Sequence, residues 1–203
     1  MLANRKDGRA MADIGHPVKV LGVMACLVVT GYLPALGATS ANAAACTANS
    51  VPAPDGTSLS ILFDDLQVDA STTAKSCSVS AALNLPPGYS LGVYRVDYRG
   101  FAQLAKGQTA ELGVDYALGP KGNGRTFQRK VHGPSSADFT FTENIGAGLM
   151  KRVGCGTEAK LNVTVSLSLS GKSTSDAEAD LDSSDSASKR GLVYFFDLKK
   201  CQP

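Results

Sequence analysis

The sequence predicts an all-β fold: an antiparallel two-sheet β-sandwich of about eight strands, stapled by disulfides. Three observations predict this class. Apolar and polar residues alternate in short runs after residue 45, turn residues rich in proline and glycine separate the runs, and no useful length of chain has helical periodicity. An even number of cysteines also remains after residue 45, which in an exported chain predicts two disulfides.

Residues 1–45 have the three parts of an export signal. Basic residues come first, an apolar stretch follows at 20–36, and small residues fill 38–45. We therefore expect a signal peptide that is cleaved after Ala43 or Ala45. The apolar stretch is shorter than the roughly 20 residues that a membrane-spanning helix needs, so no membrane span is expected.

The chain after the leader is expected to be one β-sandwich domain, residues 46–203, because its length fits one domain with a sizeable core. A secreted, extracellular location follows from the leader. A periplasmic location, or a lipid anchor on Cys46, is the alternative, since the residues before Cys46 distantly resemble a bacterial lipoprotein signal.

The charge balance argues against nucleic acid as a partner. The full chain has 20 Lys and Arg against 18 Asp and Glu. The leader contains four basic residues and two acidic ones, so 16 of each sign remain after cleavage. The leader's charged residues are Arg5, Lys6, Arg9, Lys19, Asp7 and Asp13. A chain without net charge has no overall field to attract a nucleic acid or an anionic membrane.

The cysteines after the leader are Cys46, Cys77, Cys155 and Cys201. The runs 161–169 and 192–198 are expected to form an antiparallel hairpin, which would bring Cys155 before the first strand close to Cys201 after the second. The sequence thus predicts Cys155–Cys201 and, by exclusion, Cys46–Cys77. A zinc site is not expected, because this part of the chain has one histidine and no C-x-x-C.

Two of the strand patterns carry more detail. In the run 59–68 the apolar positions change from odd to even, which predicts a β-bulge near Asp64 and Asp65. In the run 94–104 the even positions, Tyr94 among them, are expected to share one face. The opposite face has Arg95, Asp97 and Arg99, which alternate in sign and predict a solvated ladder of ion pairs.

Residues 171–190 are polar, serine-rich and acidic, and predict a long loop, with a short edge strand at 179–185 as the alternative. The acidic side chains are calcium candidates, because carboxylate oxygens are the ligands that Ca²⁺ prefers. These candidates are Asp180, Asp182 and Asp185, with Asp176 and Glu178 beside them. The glycine and terminal glutamate of an EF-hand loop are missing, and a solvated acidic loop without metal is the default interpretation.

No residues are predicted to be catalytic or to bind a cofactor. Residues 119–126 have the spacing of a phosphate-binding loop, but Arg125 replaces the lysine and no helix follows, which favours a hairpin loop. His132 is the one histidine after the leader, and is expected to be structural or at the surface. Paired carboxylates drawn from Asp64, Asp65 and Asp97 are the candidates for a glycoside hydrolase.

Several short motifs together resemble one family of secreted bacterial and fungal proteins, known as "domain of unknown function 4360". The most specific stretch is 96–101 (VDYRGF), and this chain has no tryptophan where similar proteins often have one. The other matching residues are Pro54, Asp55, Gly56, Thr57, Phe63, Asp64, Asp65, Gly133, Pro134, Cys155, Gly156, 182–185, Lys200 and Cys201. The resemblance implies a secreted domain with cysteines and leaves its activity open.

The sequence therefore predicts a secreted, non-catalytic binding or interaction module without a cofactor. Its partner is an unknown extracellular ligand, with the cell surface and carbohydrate as candidates. Two alternatives stay open: an extracellular hydrolase that acts on polysaccharide through paired carboxylates, and a secreted inhibitor or effector.

Overall fold

The structure is a computed structural model that describes residues 46–119, 124–149, 151–171, 176–181 and 190–202, all within a unit of the chain at 41–203. The predicted signal peptide, residues 1–45, lies outside the described residues. One 3₁₀ turn, Ala147–Leu149, and twelve strands are present in the described parts. The strands are β1 Ala48–Pro52, β2 Ser58–Phe63, β3 Gln67–Asp69, β4 Ala74–Ala82, β5 Tyr89–Leu104, β6 Gln108–Leu118, β7 Arg125–His132, β8 Ser135–Asn144, β9 Arg152–Gly154, β10 Lys160–Gly171, β11 Glu178–Asp180 and β12 Gly191–Lys200.

Sheet A is built around β5, the longest strand, and all its pairings are antiparallel. One side of β5 pairs first with β12 and then, further along, with β11. Its other side pairs with β9 and then with β8. β2 continues the sheet beyond β12, β3 continues it beyond β11, and β1 forms the edge next to β2. Because β5 is bordered on both sides along its length, its side chains occupy the middle of the sheet.

Sheet B has the order β4–β10–β6–β7 and is also antiparallel. Residues from both sheets share one hydrophobic core, and aromatic rings meet across it. Tyr98 of β5 stacks on Phe127 of β7 with ring centroids 3.9 Å apart, and Tyr116 of β6 meets Tyr194 of β12 edge to face. The predicted antiparallel β-sandwich is confirmed, with twelve strands in the described residues where about eight were expected.

Side-chain alternation explains which residues fill this core. On β10 the odd positions are buried, and the serine, threonine and asparagine between them face outward. The predicted phase change near Asp64 is present: Phe63 and Leu66 are both fully buried, although two exposed aspartates are the only residues between them. The chain therefore bends there and continues as a separate short strand, β3, where a bulge within one strand was expected.

Both disulfides join the predicted cysteines, Cys46 with Cys77 and Cys155 with Cys201. The predicted reason for the second pair is wrong, because β10 and β12 lie in different sheets and do not pair. Instead β5 brings the two cysteines together. The backbone amides of Cys155 and Cys201 donate to the carbonyls of Tyr89 and Gly88, adjacent residues at the start of β5.

The described part of the segment 171–190 differs from the loop that its composition predicted. β11 lies inside sheet A, between β3 and β5, so it is not an edge strand either. Ala177, Ala179 and Leu181 are buried in the core. These three apolar residues alternate with polar ones, a period-two pattern that the high content of serine and acidic residues obscured.

Candidate functional site

The middle of the outer face of sheet A, the face turned away from sheet B, carries a buried carboxylate. Asp97 is 1% exposed although it points away from the core. Arg95 donates two hydrogen bonds to it, from Nε at 2.9 Å and Nη2 at 2.6 Å. Arg99 donates a third at 3.2 Å and the Thr142 hydroxyl a fourth at 2.9 Å. The predicted ion pairs are present, but they cover the carboxylate and exclude water from it.

These donors also determine the protonation state of Asp97. The pKa of its carboxyl group is lowered, chiefly because Arg95 hydrogen-bonds to the charged form, and burial opposes this only in part. In turn, the hydrogen bonds to Asp97 raise the pKa of Arg95. Asp97 is therefore a fixed anion that positions two guanidinium groups, whose side chains remain 40% and 34% exposed.

An irregularity in β5 places an aromatic ring beside the arginines. Arg95 pairs with Phe195 and Val93 with Phe196, so Tyr94 is an extra residue with no opposite partner on β12. The Tyr94 side chain is 42% exposed, and its ring centroid lies 6.3 Å from that of Phe195. The expectation that Tyr94 shares the inward face of the strand is wrong, because the extra residue shifts the alternation.

The residues around this group include one aromatic contact and short polar side chains. Arg95 lies over the Phe195 ring with its guanidinium carbon 4.6 Å from the ring centroid, a cation–π contact. Short polar residues are in register on both sides, with Thr140 opposite Arg99 on β8 and Ser58 opposite Phe195 on β2. We call the group formed by Tyr94, Arg95, Asp97, Arg99 and Phe195 the β5 platform.

The opposite face of β5 is anchored by a polar cluster inside the sandwich. Glu143 of β8 accepts hydrogen bonds from the hydroxyls of Tyr98, at 2.8 Å, and Tyr116, at 3.1 Å. Arg125 donates to its other carboxylate oxygen at 2.9 Å. Burial raises the pKa of both tyrosines, so both remain neutral donors. Because Tyr98 and Arg99 are consecutive, this cluster helps to hold the β5 platform in place.

Sequence reasoning missed this cluster, although a signal was present. Phe139 and Phe141 alternate inward on β8, and Glu143 continues the same odd-numbered series toward the core. A carboxylate at an inward position needs partners, because an unpaired charge is costly to bury. Arg125, the arginine of the phosphate-loop spacing, is one of them. Residues 120–123 of that loop lie outside the described residues.

Of the calcium candidates Asp180, Asp182 and Asp185, the structure describes Asp180, which lies at the far end of sheet A. Asp180 is buried and accepts a hydrogen bond from Arg190 at 2.8 Å, and the same guanidinium bonds to Asp138 at 3.2 Å. An arginine therefore occupies the place that a cation would take beside Asp180. Within the described ranges, no three histidine, cysteine or acidic side chains are grouped as a metal site requires. Asp182 and Asp185 lie outside those ranges.

The structure separates the carboxylates that were candidates for a hydrolase. Asp64 and Asp65 are exposed beyond the end of β2, where Asp65 forms an ion pair with Lys75 at 2.8 Å. Asp97 lies on β5, and β12 is between the two strands. Asp97 is level with Ser60 across β12, and Asp64 lies four residues further along, at about 3.3 Å per residue. The separation therefore exceeds both the ~5 Å of a retaining pair and the ~9.5 Å upper limit of an inverting pair. The three aspartates do not form one site.

His132 ends β7 on the outer face of sheet B. It is exposed, and its Nδ1 lies 3.1 Å from the Thr109 hydroxyl on the adjacent strand. His132 therefore lies at the surface, one of the two placements expected for it.

The fold and its two disulfides define the class of this protein: a disulfide-bonded antiparallel β-sandwich. The model of one family, "Domain of unknown function (DUF4360)", matches residues 40–201. The chain belongs to this family, as the motifs in its sequence indicated.

A curated relative is an "Uncharacterized secreted protein" of Arthroderma benhamiae, 25% identical over 126 residues. The match covers 54% of this chain and 51% of the relative, so the chain spans about half the length of that protein. Within the described residues, no helix is long and apolar enough to cross a membrane.

Three solved structures overlap with the chain only loosely. The CBM22-1–GH10 modules of a Clostridium thermocellum xylanase share 13% identity at a TM-score of 0.28, covering 77% of this chain and 25% of that one. A structure of infectious bursal disease virus shares 14% identity at a TM-score of 0.28, and the match covers 77% of this chain and 42% of that one. A family 16 carbohydrate-binding module shares 11% identity at a TM-score of 0.22, and the match covers 75% of this chain and 85% of that one. At such TM-scores the overlap carries no argument about ligands.

Proposed function

We propose that this protein is an extracellular, non-catalytic binding module whose β5 platform binds an anionic polysaccharide. One observation carries the proposal: an exposed tyrosine ring lies beside two half-exposed arginines that a single buried aspartate holds in place. The surface is therefore rigid before a ligand arrives, which lowers the entropy lost on binding.

The charges of the platform favour an anionic ligand. Two guanidinium groups face one carboxylate, which leaves one positive charge in excess at the centre of sheet A. Arg95 gives the fork formed by its Nε and Nη2 to Asp97, whereas Arg99 gives Asp97 one hydrogen bond, from Nη2. The remaining N–H groups of both guanidiniums, oriented by Asp97, are donors that suit a carboxylate or sulfate group.

The aromatic ring and the short side chains beside it favour a sugar chain over a compact ligand. The Tyr94 ring offers an apolar face with a hydroxyl at its edge, which suits the C–H face of a sugar ring with hydroxyls around it. The short serine and threonine side chains beside the platform leave room for an extended polymer.

The paired state of the carboxylates favours binding over hydrolysis. A glycosidase needs two carboxyl groups that face each other across the substrate, with one of them protonated as the acid. Asp97, Glu143 and Asp180 each accept hydrogen bonds from an arginine, so each already has a partner within the protein. The pKa of Asp97 is in addition lowered by the hydrogen bond from Arg95, which disfavours the protonated acid. The hydrolase alternative is therefore less well supported than the binding module.

The extracellular location is supported by the two disulfides, which persist in oxidising compartments, and by the secreted relative. N-terminal sequencing and intact mass of protein from the culture medium test the proposed processing. We expect the mature chain to begin at Ala44 or Cys46. An intact Met1 species in the membrane would contradict secretion, and a lipid mass on Cys46 would establish the anchored form.

The binding proposal is tested with polygalacturonic acid, dextran sulfate and neutral dextran. We expect the purified protein to bind the two anionic polymers at low salt, to bind neutral dextran at least about tenfold more weakly, and to lose affinity as salt screens the arginines. Tyr94→Ala and Arg99→Gln should each weaken binding, whereas Lys130→Gln, which removes an exposed cation on sheet B, should not.

Thermal unfolding identifies any variant that is misfolded, and such a variant is excluded from the comparison. Equal binding by the wild type, Tyr94→Ala and Arg99→Gln would overturn the role of the platform. Capture of one protein from host extract, with no affinity for either polymer, would instead support the inhibitor or effector alternative.

A further inference from the structure

A second group of fixed charges lies on the outer face of sheet A, further along β12 from the β5 platform. Arg152 of β9 pairs with Gly92 of β5, and Gly92 pairs in turn with Asp197 of β12. Because glycine has no side chain, the Arg152 guanidinium crosses β5 and donates to the Asp197 carboxylate at 2.8 Å and to the Asp197 carbonyl at 2.9 Å. The Lys199 Nζ lies 3.7 Å from the same carboxylate. We call Arg152, Asp197 and Lys199 the β12 cationic group.

This group has the same charge balance as the β5 platform. In each of them two cations surround one aspartate, which leaves one positive charge in excess. The hydroxyl and the carbonyl of Ser90 also accept from Arg152, each at 3.1 Å, so its guanidinium is fixed before a ligand arrives. The Lys199 side chain is 66% exposed and supplies the accessible charge.

An aromatic pair lies between the two positive groups. Val193, Phe195 and Asp197 are alternate residues of β12 and share its outer face, and Val193 is level with Asp97 of the platform. The four residues from Val193 to Asp197 therefore separate the two aspartates by about 13 Å along the strand, at ~3.3 Å per residue. Phe195 is midway, with the exposed ring of Tyr94 beside it. Two cationic groups with aromatic rings between them thus follow one line.

The opposite direction along β5 is unfavourable for an anion. Beyond Arg99, the Arg190 guanidinium bonds to both Asp180 and Asp138. Within the part of the chain that the structure describes, two carboxylates therefore share one cation there, and the Asp138 side chain is 74% exposed. An anionic chain is repelled at this end of the sheet and attracted toward Lys199 at the other.

We infer that the β12 cationic group is a second anion subsite, and that an anionic polysaccharide lies along β12 from the β5 platform toward Lys199. The inference rests on the proposed function, because the platform has to hold the same chain. It adds the direction of the chain and a minimum length, since the ligand must carry two carboxylate or sulfate groups far enough apart to reach both groups. Once the platform is occupied, contact with the second subsite is intramolecular and increases the affinity for long chains.

Digalacturonate and octagalacturonate test this, because the dimer is too short to reach both groups and the octamer is long enough. A longer chain also has more ways to bind, so the diagnostic result is the response to a variant. In NMR titrations, Lys199→Gln should weaken octamer binding by about fivefold, the size of one charge–charge contact near water, and dimer binding by less than about twofold.

Two further variants serve as controls. Lys106→Gln removes an exposed lysine in the turn after β5, at the other end of the sheet, and should change neither affinity. Asp138→Asn removes the exposed negative charge beside Arg190 and should also change neither, because the chain does not extend that way. Titration of the wild type gives a readout that needs no variant to fold: the octamer should shift the amide signals of Asp197 and Lys199, but not those of Gln103 and Asp138.

The outcomes separate this inference from the proposed function. Equal octamer affinities of the wild type and Lys199→Gln, or tighter octamer binding by Asp138→Asn, would overturn the second subsite, while a loss of affinity for both oligomers in Tyr94→Ala would still support the platform. Absence of octamer-induced shifts at Asp197 and Lys199 would overturn it as well. If neither oligomer binds, or if Tyr94→Ala binds both as well as the wild type does, the proposed function fails and the inference fails with it.

Discussion

Asp97 and Arg95 form a bidentate ion pair within a single strand, with N–O distances of 2.9 and 2.6 Å. They are two residues apart, so the alternation of β5 puts both on the outer face, where Arg99 reaches the same carboxylate from the other side. This geometry requires no contact from another strand. The hydroxyl of Thr142 on β8 then ties the group to its neighbour in the sheet.

Replacing Asp97 should destabilise the protein by an amount that depends on pH. Asp97→Asn leaves two arginines without their carboxylate, and we expect a loss of about 2 kcal/mol at neutral pH, a typical value for hydrogen bonds to charged groups. Because the folded-state pKa of Asp97 is lowered from 3.8, its contribution is complete well above pH 3.8 and is lost as the pH falls toward the folded pKa. Urea unfolding of both proteins at several pH values measures this.

Asp64→Asn is the matched control for this measurement. Asp64 is exposed and has a weak contact with Asn49 at 3.4 Å, so its replacement should change stability by less than about 0.5 kcal/mol. A difference between wild type and Asp97→Asn that stayed constant from neutral pH to pH 3 would contradict the role assigned to the Asp97 charge.

Two buried tyrosine hydroxyls should respond in opposite ways to removal. Tyr98 donates to Glu143 at 2.8 Å, so Tyr98→Phe should cost about 1–2 kcal/mol. The Tyr194 hydroxyl is fully buried and has no hydrogen-bond partner among the described residues, so Tyr194→Phe should leave stability unchanged or raise it slightly. Chemical denaturation of the two variants compares them, and equal losses would contradict the assignment of the hydrogen bonds.

Alkaline pH should unfold the protein through its buried tyrosines. Burial, with a smaller contribution from Glu143, raises the pKa of Tyr98, Tyr116 and Tyr194 above 10.0. A raised folded-state pKa means that their contribution to stability is complete below pH 10 and decreases as the pH rises above it. Phenolate absorbance and circular dichroism, recorded together, should show these three tyrosines ionising only as the fold is lost. Ionisation of all tyrosines with the fold intact would contradict this.

β11 should be essential to sheet A despite its acidic surroundings. Ala179 is fully buried between β3 and β5, and an aspartate there would place an unpaired charge in the core. We expect Ala179→Asp to destabilise by more than about 3 kcal/mol and Ala70→Asp, at an exposed position, to have almost no effect. Melting temperatures of both variants are the measurement. Similar melting temperatures for the two variants would indicate that this segment is a loop, as its composition suggested, and would contradict its place in the sheet.

The Cys155–Cys201 disulfide should contribute strongly to stability. It links residues 46 apart in sequence, and for a loop of that size the chain-entropy model gives about 4 kcal/mol. The double variant Cys155→Ser, Cys201→Ser should therefore unfold at much lower urea, whereas Cys201→Ser alone should in addition form mixed disulfides. If the double variant matched the wild type, the other contacts at the start of β5 would be holding these ends together.

The disulfide pairing was predicted correctly from the sequence, but the strand pairing behind that prediction was wrong. Cys155 and Cys201 were paired correctly from an expected β10–β12 hairpin, yet those strands lie in different sheets. The two cysteines nevertheless lie close together, because their backbone amides donate to the carbonyls of Tyr89 and Gly88 at the start of β5. Alternation shows which face of a strand is buried, but it does not show which strand is its neighbour.

The β5 platform likewise combines features that the sequence predicted with features that depend on neighbouring strands. The sequence placed Arg95, Asp97 and Arg99 on one face, because three alternating residues of a strand must share a face. It did not show that Thr142 of β8 joins the two arginines around Asp97, nor that Tyr94 points outward, since both depend on the register with neighbouring strands.

The sequence alone determined the all-β class and the buried face of most of the long strands, because both depend on local alternation. It also named the disulfide partners, but from a hairpin that β10 and β12 do not form. The tertiary structure alone decided the strand order, the position of β11 inside sheet A and the Glu143 cluster. Each of these depends on pairings between segments far apart in the chain. Such pairings are selected by how all the buried side chains pack together, and no local pattern records that choice.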